Sequence, residues 1–385
     1  MKTVHPSIVI GAYTWDQDRL PRDEFQIRCQ DLYAAMDKNG WKAMFIYGDA
    51  DEHSTLAYYT NFVPRVRWTI AMIPREGEPR LLVSMSSRDV PAMKLMTWIT
   101  DVVSGWQWEA GFDPWIAGLK GDAPIGVGTI GFERIQPRIF RLLEKSIGER
   151  IRLSAAQGFE GKTRSLRPRE LSLLRESCAV LKTAAAAMVR AWRDGANPEA
   201  AVLEGERVAR SLAAQDVRTL VSLDGGRTLV PYRGEFKPAG DTLIAHFAVK
   251  VQGFWSELFV TASNGPGAYP KVDKALDALK AAVKPGVVGE DLHSKAIQAL
   301  GTRAIHPVLT QSVGRRVGLS LDEGCPLRAD DASPMVAGNV YSLHVGTRDD
   351  KGGAIASAMV VITAKGAEVL CESDDALADA PQSTA

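Results

Sequence analysis

The chain has little that would tie it to a membrane, a nucleic acid or an oxidising compartment. Its 46 basic and 46 acidic residues cancel, so no charge excess favours a phosphate backbone or an anionic lipid surface. No apolar run approaches the roughly 20 residues that span a bilayer, and the opening MKTVHPSIVIGAYTWDQD has too short an apolar stretch for a secretory signal. The four cysteines, Cys29, Cys178, Cys325 and Cys371, are scattered without C-x-x-C spacing. That pattern argues against a zinc ribbon or a dithiol redox motif and suits reduced thiols in a cytoplasm. Cys325, just beyond Glu323, reads as a small packing residue rather than a nucleophile. What remains is a chain of 385 residues, 45% hydrophobic and 24% charged, long enough for two cored domains and suited to a small-molecule partner.

Local patterning supports that division. The stretch FQIRCQDLYAAMDKN (25–39) carries apolar residues at helical spacing, with Gly40 as its C-cap. KAMFIY (42–47) then reads as a buried strand, followed by a short helix around 55–59. WTIAMI (68–73) and RLLVSM (80–85), joined by PREGEP, form a strand pair. Gly126, Gly128 and Gly131 match a G-x-G-x-x-G spacing, but LKGDAP before them lacks strand character and Pro137 stands where the helix should run. The favoured reading is a strand and turn over 130–133 before the helix RIFRLLEKS. The long pattern GKTRSLRPRELSLLRESCAVLKTAAAAMVRAW begins another helix, whose first turn suits Pro168 and Glu170.

Four later segments carry a resemblance. DTLIAHFAVKVQGFWSELFVTASNGP, QSVGRRVGLSLDEGCP, VAGNVYSLHVGTRDDKGG and GGAIASAMVVITAKGAEVL are spaced like the metal-binding segments of the creatinase, aminopeptidase P and methionine aminopeptidase superfamily. The likeness covers roughly residues 160 to 370. It implies an α+β protein with a C-terminal pita-bread domain over 158–373. A smaller α/β creatinase-type domain would fill 1–157, and 374–385 would form a disordered tail. It also implies a homodimer in which the segment NFVPRVRW (61–68) reaches the partner's pocket, with Arg65 and Arg67 for a substrate carboxylate and Trp68 for a ring.

At the positions where that family holds its metal, this chain has other side chains. The resemblance puts His246 and Glu257 at the two aspartates, Arg315 at the ligand histidine, and His344 and Ser357 at the two glutamates. Asp322 falls at a substrate-handling histidine, and Tyr232 follows Pro231 where creatinase has its catalytic histidine. Hard cations in paired sites need bridging carboxylates, and an arginine cannot be deprotonated to ligate one. The expectation is therefore no metal, no cofactor, and a site whose charge lies between zero and plus two, suited to an anion.

His246, His344, Glu257 and Tyr232 are the catalytic candidates. Arg315, Arg316, Asp322, Glu323, Ser357, Arg65, Arg67 and Trp68 are the candidates for holding substrate. The reading is a metal-independent hydrolase or lyase that cleaves a C–N or C–C bond in a small anionic or aromatic molecule. Two alternatives stay open: an inert binding module, as in the histone-chaperone members of the superfamily, and a metallo-enzyme with rearranged ligands. Each residue also has a structural reading. A strand histidine is commonly a hydrogen-bonded core group, Arg315 and Arg316 could form a solvated turn, and Asp322 and Glu323 could cap it. The nine tryptophans fit packing as well as an aromatic ligand.

Overall fold

The computed structural model describes residues 14–64, 67–159, 165–234, 241–263, 270–301, 305–309, 311–324, 326–348 and 352–378. The chain divides into two compact units, Met1–Thr163 and Arg164–Ala385, a few residues beyond the 157/158 boundary expected from sequence.

The first unit is a mixed six-stranded sheet. Its strands are β1 (Ala43–Asp49), β2 (Trp68–Pro74), β3 (Arg80–Val83), β4 (Asp101–Ser104), β5 (Ile125–Ile130) and β6 (Ile151–Ala155), in the order β4-β3-β2-β1-β5-β6. The 25–39 helix is broken at Cys29 into Arg22–Arg28 and Gln30–Asn39. Gly40 closes it in the left-handed conformation, at φ 67. The sheet core holds Phe45, Ile70, Leu82, Phe112 and Val127. Gly126 and Gly128 lie within β5 and Gly131 just past it, so the strand runs over 125–130 rather than the expected 130–133, and Phe132–Arg134 is a 3-10 turn. Gly128 lies under the indole of Trp41, where a Cβ would come within 2.5 Å of the ring. These glycines thus serve strand packing.

Most of the tryptophans are packing groups too. Trp98 stacks on Phe25 and Trp108 on Phe112, at centroid distances of 5.9 and 4.7 Å. Trp68 meets Trp108 edge-on at 6.1 Å and is buried, so it is a core residue rather than a ring platform for substrate. Among the described residues of this unit Trp106 is the exposed large aromatic, with the Arg67 guanidinium 5.4 Å above its ring. Arg65 lies outside the described residues.

The second unit begins with two long helices, α1 (Pro168–Arg193) and α2 (Pro198–Ser211). The Glu170 carboxylate accepts the backbone N–H of Arg167 and Pro168 occupies the first turn, as the sequence suggested. Strands β7 (Asp216–Val221), β8 (Thr242–Val251) and β9 (Phe254–Ser263) form one sheet. Strands β10 (Gly314–Arg316), β11 (Val340–Arg348), β12 (Gly353–Thr363) and β13 (Gly366–Glu372) form the other. The two sheets meet where β9 lies against β12: Thr261 Oγ1 donates to the Ile355 carbonyl and receives its N–H, both at 2.9 Å. Helices Pro270–Ala282 and Gly289–Leu300 supply Ala275, Leu279, Leu292 and Ala296 to the core beneath β11 and β12. The short helix α3 (Ser373–Ala378) follows β13 directly, so the start of the expected tail is ordered.

Candidate active site

The β8–β9 hairpin builds the centre of the site. Its two-residue turn, Gln252 and Gly253, has positive φ at both positions, 46 and 89. That conformation suits the right-handed twist of a hairpin and favours glycine. The turn pairs Val251 with Phe254, which brings His246 opposite Phe259 and Ala248 opposite Glu257. His246 and Glu257 therefore lie diagonally on one face, within reach of each other. The eleven-residue spacing becomes a contact: His246 Nε2 lies 2.8 Å from Glu257 Oε2.

The same oxygen accepts from Arg315 Nη2 at 2.6 Å, while Arg315 Nε donates to the Leu321 carbonyl at 3.1 Å. Glu257 is fully buried. Burial alone would raise its pKa, but the His246 hydrogen bond and the Arg315 charge outweigh it and hold the carboxyl at about 2. An anionic carboxylate can only accept, so the proton between Glu257 and His246 sits on Nε2. Nδ1 of a neutral His246 then keeps its lone pair and has no hydrogen bond among the described residues.

His344 stands on β11 opposite Ser357 of β12. Burial drives its pKa down to about 3, with Glu257 opposing and Arg315 assisting. It is therefore neutral at physiological pH and too weak a base for ordinary acid–base exchange, which narrows the roles expected for the two histidines. The summed charge of the cluster is zero to plus one, the lower half of the range expected from sequence. Phe259 touches both imidazoles, at centroid distances of 4.7 Å to His246 and 5.4 Å to His344. Glu257 Oε1 and His344 Nδ1 are buried with no hydrogen-bond partner among the described residues.

Several expected substrate-holding residues have other positions. Arg316 is 1% exposed and faces Glu323 at 3.6 Å. Glu323 Oε1 also accepts the Leu319 N–H at 2.8 Å, so the pair fastens the 317–323 loop from inside and is closed to a ligand. Asp322 is exposed and accepts the Gly324 N–H at 2.8 Å, a local turn contact. Ser357 is buried, and its hydroxyl receives the Phe259 N–H at 2.7 Å. Tyr232 is 42% exposed, on the chain beyond β7. His306 is a staple: Nδ1 receives the Val308 N–H, so Nε2 donates to the Gly226 carbonyl at 2.6 Å. Phe259 and Ser373 had not been singled out from sequence. Phe259 reads there as one more apolar strand residue, although its i+2 relation to Glu257 places it on the same face.

The family model for metallopeptidase family M24 matches residues 172–364. The chain belongs to metallopeptidase family M24. Its fold is that of solved prolidase-type structures. An X-Pro aminopeptidase from Thermotoga maritima MSB8 aligns at TM-score 0.76 and 19% identity, over 89% of this chain and 97% of that one. The prolidase from Pyrococcus horikoshii OT3 aligns at TM-score 0.73 and 18% identity, with the same coverage. The N-terminal domain of FACT complex subunit SPT16 from chickpea, Cicer arietinum, aligns at TM-score 0.67 and 15% identity, over 93% of this chain and 98% of that one. No curated protein matches this chain.

The M24 fold raises the question of a metal, and the residues present do not fit one. The one carboxylate at these positions is Glu257, whose Oε2 already carries Arg315 and His246, and its remaining Oε1 is a single oxygen where a paired-cation site needs several. The guanidinium keeps its charge at any ordinary pH. The Ser357 hydroxyl is committed to the Phe259 backbone. Among the described residues, no three His, Cys, Asp or Glu side chains converge to hold an ion. No helix among them is long and apolar enough to cross a membrane.

Proposed function

We propose that this M24 member is a metal-independent acid–base hydrolase or lyase acting on a C–N or C–C bond of a small anionic or aromatic molecule. The observation that carries the reading is the chain Arg315–Glu257–His246. Glu257 holds the imidazole through Nε2 and leaves Nδ1 to exchange protons, while Arg315 keeps the carboxylate ionised. Arg315 is 29% exposed at its side chain, and its Nη1 has no partner among the described residues. That edge suits a substrate carboxylate or a developing oxyanion. In the hydrolytic form, Nδ1 takes a proton from water as the oxygen attacks a carbonyl carbon. The same proton then goes to the leaving nitrogen as the C–N bond breaks, giving a carboxylic acid and an amine, between which the acid's proton passes to leave a carboxylate and an ammonium.

A second reading, a binding module without turnover, draws on the likeness to the FACT subunit domain and on the burial of Glu257 and His344. One experiment separates them. Purified protein, with and without chelator, is analysed for metal and incubated with Xaa-Pro dipeptides, N-acyl amino acids and aromatic acids, with products read by mass spectrometry. The enzymatic reading expects under about a tenth of an equivalent of transition metal and turnover that survives chelation and disappears in His246→Ala. Stoichiometric metal whose removal abolishes turnover would overturn metal independence. Ligand binding with no product would favour the module. The homodimer expected from the resemblance is read by sedimentation of the same sample.

A further inference from the structure

The two imidazoles of the cluster stand in two cross-strand pairs, His246 with Phe259 and His344 with Ser357. These pairs abut at the seam between the two sheets, where a third element enters. The Ser373 hydroxyl, at the first residue of α3, donates to the Phe259 carbonyl at 2.7 Å. It receives the Ser357 N–H at 2.7 Å and lies 3.0 Å from the Ser357 carbonyl. Ser357 in turn receives the Phe259 N–H. The backbone of Phe259 is thus clamped on both its N–H and its carbonyl by two serine hydroxyls, one of which belongs to the C-terminal helix.

We propose that Ser373 is a positioning residue for the imidazole pair: its hydroxyl fixes the Phe259 backbone and, through the ring in contact with both, the orientation of His246 and His344. This rests on the catalytic reading of His246 given above. A donor held against a buried carbonyl fixes a backbone to a few tenths of an ångström, and imidazole orientation decides whether Nδ1 meets its substrate. The helix that carries Ser373 is itself tied down. Asp375 pairs with Lys182 at 3.2 Å and accepts the Glu372 N–H at 2.9 Å, and Arg193 donates to the Leu377 carbonyl at 3.2 Å. With several ties on α3, weakening one of them leaves Ser373 in place, so the site should respond to the Ser373 hydroxyl and not to the stability of the helix as a whole.

The test compares three variants of the full chain by thermal melting, imidazole NMR and turnover. Ser373→Ala removes the hydroxyl and Ser373→Thr keeps it. Asp375→Asn weakens the same helix without touching Phe259. Loss of the clamp shifts the imidazole resonances of both His246 and His344, because the ring current of Phe259 moves with its backbone. It also lowers kcat by on the order of tenfold, with less change in KM. Ser373→Thr restores both, while Asp375→Asn lowers Tm and leaves the resonances in place. The proposal is overturned if Ser373→Ala melts lower without moving either imidazole, or if Asp375→Asn moves them equally. Should Ser373→Ala not fold, Ser373→Cys, a weaker donor of similar shape, gives the same reading. The NMR response needs no substrate, so absence of turnover would refute the catalytic reading alone, and absence of the imidazole shift would refute this one.

Discussion

Arg315 and Arg316 are neighbours in sequence, each faces a buried glutamate, and they do different things. Strand alternation sends them to opposite sides of β10. Arg315 meets Glu257 at 2.6 Å and remains partly exposed, within the cluster that holds His246. Arg316 meets Glu323 at 3.6 Å with both side chains sealed, in a pair that fastens a loop. An ion pair with one edge open to solvent can serve chemistry, because its charge is still available to a ligand. A sealed pair of the same residue types can only serve the fold. Substitutions on the Glu257 side should therefore change turnover more than stability, and those on the Glu323 side the reverse.

The largest expected effect is His246→Ala, with a fall of about a thousandfold in kcat/KM, the range for loss of a general base. The melt should move little, since the change removes no charge of the Arg315–Glu257 pair. A melt lowered as steeply as the activity would return His246 to the structural reading.

Acid should act next. His344 is held to about 3 against an ordinary 6.5, so below 6.5 the unfolded chain takes a proton that the fold refuses. Its contribution is complete above pH 6.5 and falls away as pH descends to about 3, by on the order of 5 kcal/mol in all. Glu257, lowered from 4.5 to about 2, adds loss in the same direction over the lower window. Urea unfolding at pH 7 and pH 4.5 should show a drop of about 2 to 3 kcal/mol, and His344→Leu should remove most of it. An equal drop in His344→Leu would assign the acid sensitivity elsewhere.

Glu323→Ala should cost about 3 kcal/mol, since it withdraws the carboxylate facing a buried guanidinium and frees the Leu319 N–H. Arg315→Ala leaves the buried Glu257 carboxylate with its His246 hydrogen bond, so it should cost less, about 2 kcal/mol, yet lower turnover at least tenfold. Measured together by urea unfolding and kcat/KM, the two variants should cross. If both lose stability alike, the contrast between the two arginines has no energetic basis.

Part of this was legible beforehand. The eleven-residue spacing between His246 and Glu257 becomes a contact because a two-residue turn fixes the hairpin register, and that turn shows in the sequence as Gln252-Gly253. The spacing of the four C-terminal segments likewise conveyed the fold. The phase of β10 was not legible, since two consecutive arginines offer no apolar–polar alternation to say which faces inward. Trp68 was misplaced for a related reason: an aromatic beside basic residues looks like a ligand platform until Trp108 is seen against it. Ser373 had no local signal at all, because its partner Phe259 lies 114 residues away. The start of α3 is likewise held by partners distant in sequence, Lys182 and Arg193.

Asp322 and Glu323 repeat the arginine contrast on a smaller scale, and the smallest predicted effect comes from them. The resemblance puts Asp322 at a substrate-handling position, yet its carboxylate is exposed and engaged with the Gly324 N–H two residues on. Asp322→Ala should therefore cost under about 1 kcal/mol, the value of one exposed turn hydrogen bond, and leave kcat and KM within about twofold. The adjoining Glu323→Ala should do far more damage to stability through a carboxylate of the same charge. If Asp322→Ala instead raised KM tenfold with an unchanged melt, the exposed residue would be contacting substrate, and the position implied by the resemblance would stand against the geometry of the loop.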